Sequence, residues 1–286
     1  MTGLICRAAA IATLLTLCGP AAAQWDPYPS AGVPLTPEGE PDLMGPTPRT
    51  FDGRPDLSGI WERVSGERGP VDGQLGRGPK VNPPPGSPPI AHFFDIGAQF
   101  EVPYTEWGDR ITQERIDDDA RGNPDAYCLP MGPMQFHLHP QPRKIIQTRD
   151  LVVIVNEANS GLRQIFVDGR SLPDEDALPW WFGYSVGHWE GDTLVVESSG
   201  YRDDVWLDYN GSPLTASGRI TERFRRPSFG TLEIDVTIED PKAYTEPFTV
   251  RVNQRIMLDT NLIEFICNEN EVSSQYFYDS DEQDAE

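Results

Sequence analysis

Positive charge is scarce in this sequence, and beyond its N-terminus it has no long apolar run and no internal repeat. The chain carries 23 lysines and arginines against 45 aspartates and glutamates, which gives a formal net charge of −22 at pH 7. A surface with this balance repels nucleic acid and anionic lipid, so both are excluded as partners. A membrane helix requires roughly 20 apolar residues, so we predict no membrane span. We also predict no cofactor.

Residues 1–23 have the three parts of a secretory signal peptide. Arg7 supplies a positive charge, residues 8–17 form a short apolar run, and residues 21–23 are a small-residue cleavage site. We therefore predict an exported protein, either periplasmic or extracellular. A lipid anchor at Cys18 is a weaker alternative, because a bulky leucine precedes it.

Cysteine is also scarce. Cys6 and Cys18 belong to the predicted signal peptide, which leaves Cys128 and Cys267 in the mature chain. Two thiols in an oxidising compartment predict one disulfide. Closing a loop of ~140 residues stabilises a fold by at most about 4–5 kcal/mol in the chain-entropy model.

Proline and glycine are concentrated in the first part of the mature chain. Fifteen of the 28 prolines lie in residues 24–90, and such a segment cannot form regular ladders. We predict an extended Pro/Gly-rich arm over residues 24–103, interrupted by one strand at 57–64. A domain of one helix and a barrel (104–272) follows, and an acidic disordered tail (273–286) ends the chain.

Helical spacing of apolar residues is found in one segment, residues 104–120. Thr105 is suited to cap its N-terminus, and Trp107, Ile111 and Ile116 recur near the helical period. We therefore predict one short helix before the main run of strands.

From residue 144 onward the pattern changes to a period of two. In residues 231–239, leucine, isoleucine and valine alternate with polar residues, which is typical of a strand with one buried and one solvated face. Turn signals separate nine short segments of this kind. They are residues 144–149, 151–157, 162–168, 184–190, 193–198, 218–226, 231–239, 248–257 and 261–267.

The short linkers between these segments decide how the strands are arranged. They leave no room for crossover helices, so neighbouring strands should be antiparallel. A sheet of about nine strands curls readily, and closing it removes its exposed edges. We therefore predict a mainly β fold, an antiparallel up-and-down barrel of lipocalin-like architecture, with a β-sandwich as the alternative.

Six short motifs lie at residues 57–61 (LSGIW), 164–170 (QIFVDGR), 183–197 (GYSVGHWEGDTLVVE), 222–224 (ERF), 238–241 (IEDP) and 267–270 (CNEN). They resemble those of a large family of secreted proteins that is abundant in environmental bacteria and has no established activity. The resemblance covers residues 47–272 and is most specific at residues 189–196. It implies export but assigns no catalytic residue.

Gly59 and Trp61 also resemble the Gly-x-Trp motif on the first strand of lipocalins. In that family the tryptophan closes one end of the barrel beneath an arginine from a late strand. The resemblance implies that Trp61 closes the barrel here, with Arg223 or Arg225 in the role of the arginine.

Ser185 lies in a Gly-x-Ser-x-Gly sequence that matches the nucleophile elbow of hydrolases. That elbow requires a strand that turns sharply into a helix. Here a Glu-Gly-Asp turn and a second strand follow instead, at residues 190–198. We therefore interpret the segment as part of a hairpin and not as a hydrolase site.

Two histidines have the spacing of metal ligands on a strand. His137 and His139 would place both imidazoles on one strand face. Nearby prolines disfavour a regular strand, so the pair is a weak candidate and we predict no metal site.

A candidate polar site lies on the predicted strands. Glu222 stands between Ile220 and Phe224 on one strand face, and Tyr184 and His188 share a face of another. If both faces line the barrel, a carboxylate and an imidazole share its lumen. Burial raises the pKa of a glutamate and lowers that of a histidine, which suits proton transfer near neutral pH. Glu222 and His188 are therefore the candidate catalytic residues; the alternative is that each has a structural role.

Trp181 and Trp189 belong to an aromatic group that would suit the mouth of a site for a planar or apolar ligand. Our first hypothesis is an exported lipocalin-like barrel that binds a small apolar or aromatic molecule. Its ligand-binding residues would be Tyr184, His188, Trp189, Trp181 and Glu222. The alternatives are a barrel enzyme of the lyase, isomerase or hydratase type, and an envelope module that binds through its outer surface. The oligomeric state stays open.

Overall fold

The computed structural model describes residues 32–64, 88, 101–174 and 177–269. The predicted signal peptide and the predicted acidic tail lie outside these ranges. The described ranges contain eleven strands and two α-helices. The strands are β1 Gly59–Arg63, β2 Arg143–Gln147, β3 Leu151–Asn156, β4 Leu162–Phe166, β5 Tyr184–Glu190, β6 Thr193–Ser199, β7 Val205–Trp206, β8 Pro213–Leu214, β9 Arg219–Ser228, β10 Thr231–Glu239 and β11 Phe248–Met257, and the helices are α1 Glu106–Asp117 and α2 Pro133–Leu138.

Nine of the strands form a closed barrel. Their order around it is β1-β11-β10-β9-β6-β5-β4-β3-β2, while β7 and β8 form a separate two-stranded sheet. The prediction of a mainly β barrel is confirmed, and the sandwich alternative is set aside. The strands follow one another around the barrel in chain order, as in a meander.

One pair of neighbours departs from the up-and-down pattern. β4 and β5 are parallel, with Ile165 opposite Ser185, whereas every other neighbouring pair in the described barrel is antiparallel. The segment between β4 and β5 returns the chain to the end from which β4 started. A connection of this length permits a parallel pair without a helix, which the sequence argument on short linkers did not anticipate.

The strand predicted inside the arm is part of the barrel. β1 pairs with β2 on one side and with β11 on the other, and so closes the sheet. The strand predicted at residues 261–267 is wrong, because that segment has no regular structure. Once β11 has paired with β1, no free edge remains for a further strand.

The described part of the arm packs against the barrel end. Gly230 and Phe229, in the turn between β9 and β10, donate backbone hydrogen bonds to the carbonyls of Leu43 (2.8 Å) and Gly45 (2.8 Å). The arm therefore covers one end of the barrel.

The predicted helix is present as α1, and its cap is the predicted one. The Thr105 hydroxyl accepts a hydrogen bond from the backbone N–H of Gly108 at 3.0 Å, which satisfies one of the free donors of the first turn. Gly108 approaches the Ala243 carbonyl so closely that a Cβ would lie 2.2 Å from its oxygen. The missing side chain thus lets α1 dock on the loop between β10 and β11.

The alternating pattern of β10 places its apolar residues in the barrel interior. Leu232, Ile234, Val236 and Ile238 have no solvent exposure. Burying each such side chain contributes roughly 1.5–3 kcal/mol to folding. The period-two prediction for this strand is confirmed, and it fixes which face of each neighbour is internal.

Helix α2 was not predicted, and it is buried at every residue. The prolines of this segment disfavour a strand, and the sequence pattern gives no sign of a helix. Pro133 instead occupies the first turn of the helix, where its missing N–H costs nothing. Met134 and Leu138 join the barrel core, so α2 is inserted among the inward-facing side chains.

The predicted disulfide is present. Cys128 and Cys267 are bonded, with Cα atoms 5.5 Å apart, and they are 139 positions apart in the sequence. The bond ties the loop before α2 to the segment that follows β11. Among the helices described here, none is long and apolar enough to cross a membrane.

Candidate functional site

The barrel interior holds an ion pair between β4 and β9. Glu222 is fully buried, and Arg163 donates from Nη1 to its Oε1 at 2.8 Å and from Nη2 to its Oε2. β5 and β6 separate these strands in the barrel wall, so the pair spans the interior. The charge of each group is balanced by the other.

Two serines complete the contacts of Arg163. Its Nε donates to Ser185 Oγ at 3.1 Å, its Nη2 donates to Ser198 Oγ at 3.0 Å, and the two hydroxyls are 2.8 Å apart. Ser185 lies within the continuous strand β5, and it has neither the elbow geometry nor a histidine partner here. The interpretation of the Gly-x-Ser-x-Gly sequence as part of a hairpin is confirmed.

The histidine that meets Glu222 is His137, from α2. Its Nε2 lies 2.6 Å from Glu222 Oε1, and its Nδ1 lies 3.3 Å from Arg143 Nη1. An arginine cannot accept a hydrogen bond, so Nδ1 is the acceptor and Nε2 carries the proton that is donated to Glu222. Both ring nitrogens of His137 are therefore engaged within the protein.

The protonation states in this cluster follow from its surroundings. Burial lowers the pKa of His137, although Glu222 opposes this effect, so the imidazole is neutral. Burial raises the pKa of Glu222, but the charge and hydrogen bonds of Arg163, with the hydrogen bond from His137, hold that pKa at about 2. The cluster is a fixed arrangement of one cation, one anion and one neutral imidazole.

The prediction that Tyr184 and His188 share the lumen with Glu222 is wrong. Val196 is the partner of both Gly187 and Glu222, so the inward residues of β5 are the odd-numbered ones. His188 lies on the outer face, with 55% of its side chain exposed, and contacts Glu190 at 3.3 Å. Alternate residues of a strand face opposite sides. Both faces of β5 carry aromatic or apolar residues, so the hydrophobic pattern of its sequence does not indicate which face is the inner one.

Tyr184 belongs to an outer aromatic cluster. Its hydroxyl accepts a hydrogen bond from Arg170 at 3.0 Å, and its ring stacks on Phe166 with centroids 5.3 Å apart. Trp180 packs against the other side of Tyr184 at 5.5 Å. Tyr184 therefore lies outside the lumen, and the prediction that it contacts a ligand there is wrong.

The two predicted tryptophans have different partners. The ring centroid of Trp181 lies 4.4 Å from the guanidinium carbon of Arg202, and that of Trp189 lies 5.7 Å from that of Arg54. Both rings are partly buried against the core. Trp189 is one of the odd-numbered residues of β5, which face the barrel interior. Of the five predicted ligand-binding residues, Trp189 and Glu222 are therefore the two strand residues whose position faces inward.

The weak metal candidates do not form a strand face. His137 lies in α2 and His139 follows its last residue. Burial, followed by the charge of Arg143, lowers the pKa of His139 to about 4. In the part of the chain that the structure describes, no three His, Cys, Asp or Glu residues form a group suited to a metal.

A second polar region of the interior was missed by sequence reasoning. Arg143 is 1% exposed and Gln254 is fully buried. Arg143 Nη2 donates to the His139 carbonyl at 3.4 Å, while its Nε and both side-chain amide atoms of Gln254 lack a hydrogen-bond partner among the described residues. Burial, followed by the charge of Arg63, lowers the pKa of Arg143 to about 9.

The register of β1 brings this second region together. Trp61 is the partner of Arg143 on β2, and Arg63, the next inward residue, is the partner of Gln254 on β11. The sequence did indicate one polar residue of the interior. Arg163 and Ile165 are two positions apart in a predicted strand, so they share one face, and the burial of Ile165 implies that Arg163 also faces inward. Arg143 lay just outside its predicted strand, so no such signal marked it.

One end of the barrel is closed around Trp61. The guanidinium of Arg226 lies 4.9 Å from the Trp61 ring centroid, and the indole N–H donates to the Leu57 carbonyl at 3.0 Å. The arginine is therefore neither Arg223 nor Arg225. Both face outward, toward Glu190 and Glu233 respectively, because the even-numbered residues of β9 are the inward ones.

A surface groove of about 410 Å³ lies outside this closed end. Ile60, Lys144 and Ile256 line it, together with residues of the arm and of the segment after β11. None of Glu222, Arg143 and Gln254 lines it, so the groove and the polar interior are separate.

Comparisons of this chain with protein-family models, with curated proteins and with solved structures find no match.

Proposed function

We propose that the barrel binds a small molecule with an apolar or aromatic body in its interior. One observation carries this proposal: Arg143 Nε and the Gln254 amide are buried without hydrogen-bond partners in the described ranges. Leaving a buried donor or acceptor unsatisfied costs about 1–3 kcal/mol, and more for a charged group. A ligand that supplies the missing partners removes this cost.

The surroundings of these groups suit an apolar ligand body. Val252 is the next inward residue of β11 before Gln254, and Trp61 is the β-partner of Arg143; both are buried. Small-molecule sites typically combine an apolar wall with a few polar groups that fix the orientation of the ligand. The interior next to α2 has this composition.

Export and the family resemblance are part of the same proposal. The Cys128–Cys267 disulfide supports an oxidising compartment, and we place the protein in the periplasm or outside the cell. The likeness of residues 47–272 to secreted bacterial proteins supports the same compartment.

The contacts of Glu222 and His137 do not favour an enzyme of the lyase, isomerase or hydratase type. A proton-transfer pair needs a free nitrogen or oxygen within reach of the substrate. Both nitrogens of His137 are engaged, and Glu222 is ionised and paired with Arg163. We therefore assign these residues to the framework of the interior.

The proposal is tested with N-phenyl-1-naphthylamine, a neutral aromatic dye that fluoresces in apolar surroundings. We expect the mature protein to bind one dye molecule per chain. Val252→Phe, which places a larger side chain in the interior, should abolish this binding, whereas Ile146→Phe, the same kind of change on the exposed outer face, should not. Near-ultraviolet circular dichroism checks that both variants are folded.

Two results would contradict interior binding. One is the absence of saturable dye binding by the mature protein. The other is binding that survives Val252→Phe but is lost with Ile60→Asp, because that result would place the ligand in the surface groove.

A further inference from the structure

We propose that the interior site is specific for a carboxylate, which Arg143 binds through its guanidinium with Gln254 beside it. This inference rests on the proposed function, and it names the chemical class of the ligand: a small monocarboxylic acid with an apolar or aromatic body. Three observations lead to it, namely the balance of buried charge, the free hydrogen-bonding capacity of two side chains, and the apolar wall around them.

The interior is positively charged within a strongly acidic chain. Arg143 and Arg163 both face inward and are buried, and Glu222 is the acid of the described barrel strands that is buried with them. The whole chain has a formal net charge of −22. Although acidic residues are abundant in the chain, Glu222 is the acid of the described strands that lies beside the two buried arginines Arg143 and Arg163.

Glu222 does not balance Arg143. Both oxygens of Glu222 are bound by Arg163, and one of them also accepts from His137. Arg143 itself donates to a neutral imidazole nitrogen and to a backbone carbonyl. No ion pair joins Arg143 to a carboxylate of the described residues. A buried cation with no anion is strongly destabilising unless a counter-ion binds beside it.

The unsatisfied atoms indicate where the anion binds. Arg143 Nε is a donor, and Gln254 offers one donor, Nε2, and one acceptor, Oε1. Arg143 and Gln254 lie on the two strands that flank β1, opposite successive inward residues of that strand. Both side chains therefore point into the interior from either side of β1, and in the proposed site the guanidinium and the amide bind the two oxygens of one carboxylate.

The neighbours of this pair favour a carboxylate with an apolar body over a free inorganic anion. Trp61 and Val252 are buried next to them, and such a wall contributes binding energy when it covers apolar surface of the ligand. A phosphate dianion would bring two charges to one unbalanced guanidinium and would leave the apolar wall without a partner. The carboxylate satisfies both parts of the site.

The test compares an acid with its neutral analogue on the mature protein. 4-Phenylbutyrate and 4-phenylbutanamide have the same body and differ in charge, and calorimetry gives the affinity of each. We expect the acid to bind at least about 10-fold more tightly, the ratio that a single charge-assisted hydrogen bond provides. Arg143→Gln should bring this ratio to about one, while Arg143→Lys, which keeps the charge, should retain a preference for the acid.

Arg223→Gln is the matched control, because Arg223 is an exposed arginine of the outer face. It should leave the ratio unchanged. Equal affinities for acid and amide in the unmodified protein would overturn the carboxylate assignment and leave the proposed function standing. The assignment would also fail if inorganic phosphate displaced 4-phenylbutyrate with equal affinity, since phosphate has no apolar body.

The failure of the proposed function has a different signature. In that case neither 4-phenylbutyrate, nor its amide, nor the neutral dye binds. Buried water molecules would then be the partners of Arg143 and Gln254, and both this inference and the proposed function would be rejected. If the acid binds but Arg143→Gln keeps its preference while folded, the carboxylate lies elsewhere and the site named here is wrong.

Discussion

Arg163 on β4 binds both carboxylate oxygens of Glu222 on β9, although two strands separate them in the barrel wall. The pair therefore links opposite parts of the interior and is shielded from water. A buried ion pair of this kind stabilises a fold only while both partners are present. The first prediction follows from that dependence.

Glu222→Gln should destabilise the protein severely. The change leaves Arg163 buried without its counter-ion, and breaking a buried pair in this way typically costs about 3–5 kcal/mol of unfolding free energy. Urea denaturation of the mature protein measures it. Glu190→Gln, which removes an exposed partner of Arg223, is the control and should leave the midpoint nearly unchanged. Equal effects of the two changes would show that the buried pair has no special role.

Stability should fall steeply in acid. The pKa of Glu222 is lowered from 4.5 to about 2 in the folded protein, so its contribution is complete above pH 4.5 and is lost as the pH falls toward 2. Urea midpoints measured from pH 5 to pH 2 test this. The curve of Glu222→Gln should be flatter over the same window, and parallel curves would contradict the assignment.

Carboxylate binding should weaken in alkali. Arg63 from β1 and the neutral His137 and His139 from α2 and its end face Arg143, whose pKa is lowered to about 9 by burial and by the Arg63 charge. Arg143 is charged below that pH, so 4-phenylbutyrate should bind at pH 7 and lose affinity as the pH rises through 9. The neutral dye serves as the reference, since its binding should not change over this range. A flat profile for the acid would argue against Arg143 as its partner.

Removing the disulfide should lower stability without changing the fold. The double change Cys128→Ser and Cys267→Ser frees a loop that contributes up to about 4–5 kcal/mol when closed. Chemical denaturation gives the loss, and dithiothreitol should reproduce it in the unmodified protein while leaving the double variant unaffected. Thiol titration of the denatured, unreduced mature chain should find no reactive cysteine.

Period-two patterning predicted the strands well because burial imposes it directly. The bounds of β5, β10 and β11 agree with those expected, and Glu222 faces inward as the alternation around Ile220 and Phe224 required. The cap of α1 and the disulfide were also predictable, since each depends on residue types at short spacing or on a count of cysteines.

The residues of the site were harder to predict, because they come from elements far apart in the sequence that are brought together only when the barrel closes. The face of β5 depends on its register with β6, and a shift of one residue exchanges His188 for Gly187. His137 contacts Glu222 from α2. This helix has only six residues, one of them a proline, and so short a segment does not show a helical pattern in the sequence. Arg143 and Gln254 lie on the two strands that pair with β1, and β1 is far from both in the sequence.

The position of β1 in the sheet also sets the order in which the protein can fold. Glu62 on β1 and Arg255 on β11, which form an ion pair across the closing seam, are 193 positions apart in the chain. Such a contact carries a large loop-closure entropy, so it forms after the local hairpins from β9 to β11. Until β1 is in place, β2 and β11 both present unpaired edges, and such edges favour pairing with another chain.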